Sequence, residues 1–266
     1  MKNLFYILIT FLFFTSCSEY QKALKSEDIA VKFALGEQLY KDGKYSKASR
    51  LFDQIVPAYR GKPQAEKLMF LDADSYFHMG LNAQAGFRFE RFAKSYSKSD
   101  KVEEAYYKSA LSYAALSPVF SKEQHDTEHA LEKLQVFANL YPNSEFMPKI
   151  NELVKELQYK LELKAYSTAK QYNHISDFKA SISAFDNFIG DFPGTSLREK
   201  ALFYKFDSAY HLGMKSVESK KQDRLITAIS YYNSFKKVNA DSEFNKDADK
   251  MVEDLKEQLE KYSTKS

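Results

Sequence analysis

The 266-residue chain has one cysteine, no tryptophan, and few glycines and prolines, eight and six. A single thiol cannot form an intramolecular disulfide, and with only five histidines beside it the chain offers no zinc framework. The formal net charge of +3 is too small to indicate nucleic-acid binding. Abundant Ala, Leu, Lys, Glu and Gln favour an all-α fold. The 22 Phe and 19 Tyr predict a core rich in aromatic side chains.

The first 16 residues have the layout of a secretory signal peptide. Lys2 precedes an apolar run, Leu4 to Phe14, which is interrupted only by Thr10 and is too short to span a bilayer. The small residue directly before Cys17 resembles the lipobox of bacterial lipoproteins, although Phe14 replaces the usual Leu or Val. The resemblance implies cleavage before Cys17 and its acylation with diacylglycerol and an N-acyl chain, which anchor the protein to a membrane. The alternative is a plain secretory peptide with an incidental cysteine.

Four turn-like stretches divide the rest of the chain at similar intervals. They are YSKSDK from Tyr96, YPNSEF from Tyr141, FPGTSL from Phe192 and NADSEF from Asn239. Each follows an apolar-periodic segment and places Ser or Thr before the next one, as expected where one helix ends and another is capped. Such self-similarity predicts an array of helical repeats.

Within each repeat, small residues and aromatics alternate as in tetratricopeptide (TPR) repeats. The first repeat has Gly36 and Gly43 followed by Ala48 and Phe52. We therefore predict an all-α, right-handed solenoid of about five TPR-like hairpins and a C-terminal capping helix, about eleven helices in all. The predicted organisation is a signal peptide (1–16), a lipidated linker (17–26), N-terminal repeats (27–144), and C-terminal repeats with the capping helix (145–266).

Several local features refine this arrangement. Leu116 to Thr127 is predicted as an insertion, and Lys215 to Arg224 as a charged, solvated connector. Phe146 to Tyr172 is predicted as one long helix, and Phe244 to Tyr262 as the amphipathic capping helix. His78 and His211 precede Gly80 and Gly213, which predicts two helix C-termini.

The sequence offers little for catalysis. His125 and His129 are four residues apart and could share a helix face that holds a metal, or they could simply begin an exposed helix. No phosphate-binding loop, nucleophile elbow or dinucleotide motif is present. We predict no enzymatic activity, no bound metal and no cofactor other than the lipid on Cys17.

Three stretches make a family resemblance specific. FDQIVPAYRGKPQAEKLMFLDADSYFHMG (Phe52 to Gly80), LSYAALSP (from Leu111) and LQVFANLYPNS (from Leu134) resemble the BamD family, in a form like that of Bacteroidetes. These are TPR lipoproteins of the outer-membrane β-barrel assembly (BAM) machine. The resemblance implies an anchored scaffold on the periplasmic face of the outer membrane. It would bind the POTRA domains of a BamA-like barrel protein, unfolded outer-membrane protein clients and further lipoproteins of the complex.

From repeat position, Tyr40, Phe70 and Tyr76 are predicted to lie near a client groove. Arg198, Lys205 and Asp223 are predicted near the contact with the BamA-like partner. Generic TPR patterning fits equally well another lipid-anchored adaptor, in envelope maintenance or cell division. A glycan-binding lipoprotein of the SusD type is a third hypothesis, but those chains are longer and use Trp, which is absent here.

Overall fold

The computed structural model describes residues 19–238 and 241–263, and every regular element in these ranges is helical. Residues 19–25 form α1. The following helices, with one 3₁₀ turn at Pro57–Tyr59, are α2 (Ile29–Lys41), α3 (Tyr45–Ile55), α4 (Ala65–His78), α5 (Asn82–Ser95), α6 (Val102–Ala114), α7 (His125–Leu140), α8 (Met147–His174), α9 (Phe178–Asp191), α10 (Arg198–Met214), α11 (Glu218–Lys236) and α12 (Asn245–Ser263). The predicted all-α, TPR-like class is confirmed.

The helices pair into antiparallel hairpins because left-handed residues turn the chain sharply between them. Gly43 (φ 72°) and Gly80 (φ 70°) follow α2 and α4, and each lies two residues before the next helix begins. Glycine adopts this conformation without the steric cost that a Cβ brings. Within the first hairpin, a methyl group at Gly36 would lie 2.6 Å from Phe52 Cε1. The small residue therefore lets α2 and α3 pack closely.

The described chain forms two compact units, with α8 running through the boundary between them. Unit 1 comprises residues 19–118 and 123–157, and unit 2 comprises residues 119–122, 158–238 and 241–263. Both cores are aromatic, as the composition predicts. The largest fully buried rings are Phe52, Phe89, Phe92 and Phe137 in unit 1, and Phe185, Phe188, Phe206 and Phe235 in unit 2.

The predicted long helix and capping helix are both confirmed. Helix α8 has 28 residues, and α12 buries Ala248 and Leu255 against α10 and α11. The chain between Ala114 and His125 is non-helical, as expected for the predicted insertion.

One local prediction is wrong. Residues 218–224 of the predicted connector are the first two turns of α11, because Arg224 donates a 2.6 Å hydrogen bond to Ser216 Oγ and Leu225 is fully buried. The two predicted helix C-termini are confirmed, since His78 is the last residue of α4 and His211 lies in the last turn of α10, two residues before Gly213. A Cβ on this buried glycine would lie 3.3 Å from Leu225 Cδ2, so its small size serves the packing of α10 against α11.

Candidate functional site

A cavity with a volume of about 600 Å³ lies in unit 1. The first helices of three successive hairpins, α2, α4 and α6, supply most of its wall. Its lining residues are Tyr40, Pro63, Glu66, Lys67, Phe70, Leu71, Asp74, His78, Phe92, Lys101, Glu104 and Lys108. The volume lies within the range of roughly 300–1,000 Å³ that is usual for small-ligand pockets.

A buried carboxylate, Asp74, organises the wall of the cavity. Asp74 is 1% exposed and accepts hydrogen bonds from the Tyr40 hydroxyl and, at 2.5 Å, from Lys108 Nζ. His78 Nε2, one helical turn further along α4, lies 3.3 Å from Asp74 Oδ2, the same oxygen that accepts from Tyr40, whereas Lys108 binds Oδ1. Groups from three helices therefore meet at the two carboxylate oxygens of Asp74, and these contacts fix the shape of the wall.

The protonation states at this carboxylate follow from its surroundings. Burial, and then the hydrogen bond to Asp74, raise the pKa of Tyr40 well above its usual value, so the phenol keeps its proton and donates. Burial lowers the pKa of Lys108, but the hydrogen bonds to Asp74 and Glu104 outweigh this effect and the net pKa is raised. Lys108 is therefore a permanent cation beside a carboxylate.

The rim of the cavity is charged and its floor is aromatic. Lys67 forms a 2.7 Å ion pair with Glu37, and Lys101 a 2.8 Å pair with Glu104. Phe70 lies beneath, with the ammonium groups of Lys101 and Lys108 both 5.5 Å from its ring centroid. This arrangement suits a ligand with apolar side chains and a polar backbone.

Two of the three predicted groove residues line this cavity, and one does not. Tyr40 and Phe70 both contribute to its wall. Tyr76 follows Asp74 by two residues and therefore points to another side of α4. Its hydroxyl donates a 2.8 Å hydrogen bond to Asp53 of α3, and Arg88 of α5 stacks 4.0 Å from its ring centroid.

Tyr76 belongs instead to a polar network that joins α3, α4 and α5. Arg88 Nη2 lies 2.7 Å from Asp53, and Arg88 Nη1 lies 3.2 Å from the buried Asp72. Burial raises the pKa of Asp72 to about 7, against the opposing effect of Arg88. Within the described residues, Asp72 Oδ1 and Arg88 Nε are buried and have no hydrogen-bond partner. The network therefore holds a carboxyl group that can titrate near neutrality.

The residues that sequence reasoning missed are Asp74, Lys108, His78 and Glu104. The spacing along the chain contained a signal for two of these residues, Asp74 and Lys108. Tyr40, Asp74 and Lys108 are each separated by 34 residues, which is the length of a TPR unit. Equivalent positions of successive repeats align along one face of the array, so polar residues at this interval are expected to meet.

Unit 2 contains a related cluster on α8, α9 and α10. Asn173 Nδ2 donates a 2.6 Å hydrogen bond to Asp207, again across 34 residues. His211 Nε2 lies 3.6 Å from Asp207, and the imidazole stacks on Phe178 with 5.2 Å between ring centroids. His78 stacks in the same way on Tyr45, at 4.3 Å.

The three predicted partner-binding residues lie in unit 2 but do not form one cluster. Arg198 is the first residue of α10, and Lys205 pairs with Asp186 and lies 3.8 Å from the ring centroid of Tyr231. Asp223 is exposed on α11. No hydrogen bond or ion pair joins these three side chains in the part of the chain that the structure describes. Cys17, the predicted lipidation site, lies outside the described residues.

The two closely spaced histidines have different surroundings. His125 is 98% exposed in its side chain and lies 3.8 Å from Glu128, whereas His129 packs edge-on against Tyr113. Within residues 19–238 and 241–263, no group of three or more His, Cys, Asp or Glu side chains could hold a metal ion.

Comparison with known proteins identifies the family. None of the helices in the described part of the chain is both long and apolar enough to cross a membrane. A direct comparison with curated proteins found no match. The family model "YfiO: Outer membrane lipoprotein", which covers BamD-like proteins, matches residues 26–225, about three quarters of the chain. The chain therefore belongs to the YfiO family of outer membrane lipoproteins.

Proposed function

We propose that this protein is a lipid-anchored scaffold of the β-barrel assembly machinery, on the periplasmic face of the outer membrane. In this proposal, unit 1 holds segments of unfolded outer-membrane proteins and unit 2 docks on the POTRA domains of a BamA-like barrel protein. The observation that carries the proposal is the cavity around Asp74, in a chain whose family consists of outer membrane lipoproteins. The proposal requires no chemical step.

The cavity suits an extended polypeptide. Phe70, Leu71 and Pro63 offer apolar contact for one or two client side chains. The ionic groups of the rim, Lys67 and Glu66 among them, can exchange hydrogen bonds with the client backbone. Because Asp74, Tyr40 and Lys108 already satisfy one another, the wall stays in place when the cavity is empty, which lowers the ordering cost of binding.

The membrane attachment in this proposal is Cys17. Acyl chains on its sulfur and amino group would each contribute roughly 0.8 kcal/mol per buried CH₂, and more than one chain makes the attachment stable. Mass spectrometry of the N-terminal peptide from purified outer membranes tests the assignment. We expect diacylglycerol and N-acyl groups on Cys17, and an unmodified cysteine would exclude the anchor.

Photo-crosslinking tests the client groove. A photoreactive residue in place of Lys67, on the rim, is expected to crosslink to unfolded outer-membrane protein segments. The matched control places the same residue at Glu132, which is exposed on α7 outside the cavity. Equal crosslinking at both positions, or none at Lys67, would contradict a role for this cavity.

Affinity capture tests the partner. The lipidated protein, extracted from outer membranes in mild detergent, is expected to retain a large barrel protein with POTRA domains and further lipoproteins. Asp223→Lys is expected to weaken this association, whereas Glu253→Lys, an equally exposed reversal on α12, leaves it intact. Recovery of envelope-maintenance or cell-division proteins without a barrel protein would favour the alternative adaptor function.

A further inference from the structure

We propose that a second recess in unit 1 binds an acidic segment of another protein, which inserts one apolar side chain beside a carboxylate. The recess lies between α5 and α7, has α6 as its floor and has a volume of about 170 Å³. We call it the α5–α7 recess. Its lining residues are Glu90, Lys94, Tyr106, Ser109, Lys133 and Val136. This site is additional to the proposed client cavity and to the proposed docking of unit 2.

The recess is separate from the cavity around Asp74. In the described chain, the two share no lining residue. Helix α6 contributes Glu104 and Lys108 to the Asp74 cavity, and Tyr106 and Ser109 to the recess. Positions 104 and 108 lie one turn apart on one side of the helix, and positions 106 and 109 lie on the other side. The two sites therefore open on different sides of α6.

Contacts between the three helices hold the recess in shape. Lys133 of α7 forms a 2.5 Å ion pair with Glu90 of α5, which joins the two walls. Glu90 also accepts a hydrogen bond of 3.4 Å from the Tyr113 hydroxyl of α6. At the floor, the buried Ser109 donates a 3.1 Å hydrogen bond to the carbonyl of Gly86 in α5. A recess that is already formed lowers the ordering cost of binding.

The size and the rim of the recess suit one apolar side chain. A cavity of about 150 Å³ admits benzene, so a recess of about 170 Å³ has room for the side chain of a Leu or a Phe. Val136 on the α7 wall is 43% exposed. Phe87, which lies one turn before Glu90 on α5, is 59% exposed. Residues three apart on a helix are neighbours, so Phe87 extends the apolar surface beside the recess.

The charge of the recess favours a carboxylate next to that side chain. Glu90 is neutralised by Lys133, whereas the exposed Lys94 has no acidic partner in the part of the chain that the structure describes. The lining residues therefore carry one excess positive charge. The exposed charged residues that adjoin them along α5 and α7 are Arg91 and Glu132, which are opposite in sign. A carboxylate on the occupant can pair with Lys94 and set its orientation.

The shape of the site favours a protein over a membrane as the occupant. The phosphates of a bilayer form a flat layer, which cannot enter a recess between two helices. A polypeptide can insert a single side chain and place a neighbouring carboxylate at the rim. Such an apolar anchor with a charged neighbour is a common arrangement at protein interfaces.

Peptide binding measured by fluorescence polarisation tests the chemistry of the occupant. The protein is purified from membranes in mild detergent and titrated into a labelled acidic peptide, three copies of Glu-Glu-Leu-Glu. The comparison peptides replace every Leu with Ser or every Glu with Lys. We expect the acidic leucine peptide to bind about tenfold more tightly than either comparison peptide. Equal affinities, or no binding of the acidic leucine peptide, would overturn the proposal.

Substitutions at the rim test the location. K94E should weaken binding of the acidic leucine peptide by about tenfold, because it replaces an attraction with a repulsion. F87A should weaken it by about fivefold. The matched controls are K155E and Y159A, at two exposed positions of α8 outside the recess, and both should leave the affinity unchanged. Equal loss in K94E and K155E would assign the binding to net charge and contradict a site at the recess.

Photo-crosslinking in outer membranes tests the site with its natural occupant. A photoreactive residue in place of Lys94 is expected to crosslink to a protein segment with Asp or Glu beside an apolar residue. The same residue in place of Lys155 should not crosslink to that segment. Crosslinks to lipid alone, or none at position 94, would overturn the proposal. Crosslinking at Lys67 reports on the client cavity, so failure of the cavity and failure of the recess give different results.

Discussion

Units 1 and 2 each contain an aspartate junction built from the same short pattern, and the two differ in what completes them. In both, Asp is followed by Ser at the next position and His at the fourth, as Asp74 with His78 and Asp207 with His211. In both, the Asp accepts a hydrogen bond from a residue 34 positions earlier, Tyr40 or Asn173. Only Asp74 also receives a cation, Lys108, from 34 positions later.

The difference is one of helix register. Position 241, which corresponds to Lys108 by this spacing, lies in the turn before α12 and not on a helix. Contacts between α10 and α12 span 44 residues, as in the hydrogen bond from Tyr210 to Asp254. The last repeat, which contains the 19-residue α11, therefore spans 44 residues instead of 34, and position 241 falls outside the helices. Where the 34-residue spacing is kept, the buried Asp74 receives a lysine that compensates its charge. Where the spacing is longer, Asp207 receives no lysine, and its side chain is more exposed, 14% against 2% for Asp74.

The largest effect is expected from a substitution that removes Lys108, the residue that distinguishes the two junctions. Lys108→Met leaves the buried Asp74 without its main cation and should lower the free energy of unfolding by about 3 kcal/mol, because an uncompensated buried charge is costly. Asp207→Asn, at the junction that has no lysine, should cost about 1 kcal/mol. Urea denaturation measures both. Equal losses would show that the lysine does not distinguish the junctions.

Close helix packing provides a second comparison between the units. Gly36→Ala should destabilise the protein by about 2 kcal/mol, since the new methyl group would collide with the fully buried Phe52. Gly190→Ala, inside α9 where a Cβ meets nothing within 4 Å, should stabilise it by up to about 1 kcal/mol. Thermal unfolding followed by circular dichroism distinguishes the two. A neutral Gly36→Ala would mean that the first hairpin can relax.

The buried network in unit 1 predicts a pH dependence. Asp72 has a folded-state pKa of about 7, above its ordinary value of 3.8, so the folded protein holds this proton more tightly than the unfolded chain. Its contribution is complete below pH 3.8 and is lost as the pH rises to 7, by about 1 kcal/mol per unit. Urea midpoints between pH 5 and pH 8 measure the slope. Asp72→Asn should flatten it, and an unchanged slope would assign the dependence to other groups.

The smallest effect concerns the turns. Ser176, in the turn between α8 and α9, has a φ of 64°, where Gly43 and Gly80 stand in unit 1. Ser176→Gly should therefore raise the stability by about 0.5–1 kcal/mol, whereas Gly80→Ala should lower it by about 1 kcal/mol. Denaturation midpoints provide the measurement. A destabilising Ser176→Gly would show that the serine side chain has a role that its backbone does not reveal.

Much of the fold could be predicted from the sequence because helical periodicity is local. The spacing of apolar residues gave α8 and α12, and the small residues at Gly36 and Gly43 marked a close approach and a turn. The charged stretch from Lys215 was misassigned because charge alone does not distinguish a loop from the exposed side of a helix. The helix end near Gly213 was predicted, but its close packing against Leu225 was not, because a glycine can serve packing as well as a helix end.

The candidate site was less predictable. Tyr40 and Phe70 follow from repeat position, but Tyr76 lies on a different side of α4 from Asp74, and only the rotation of the helix decides which side faces the cavity. The 34-residue interval of Tyr40, Asp74 and Lys108 was the available signal. It becomes informative only when the helices are known to stay in register.

The sequence by itself determined the helical class, the hairpin order, the candidate anchor at Cys17 and the aromatic content of the core, since these depend on composition and short-range spacing. Only the tertiary structure decided that Asp74 is buried among Tyr40, Lys108 and His78, that α1 packs on the first hairpin, and that Asp207 lacks a lysine. Those outcomes depend on contacts between residues far apart in the chain. Such contacts require a particular side-chain direction and helix register, and both are established only when the helices pack together.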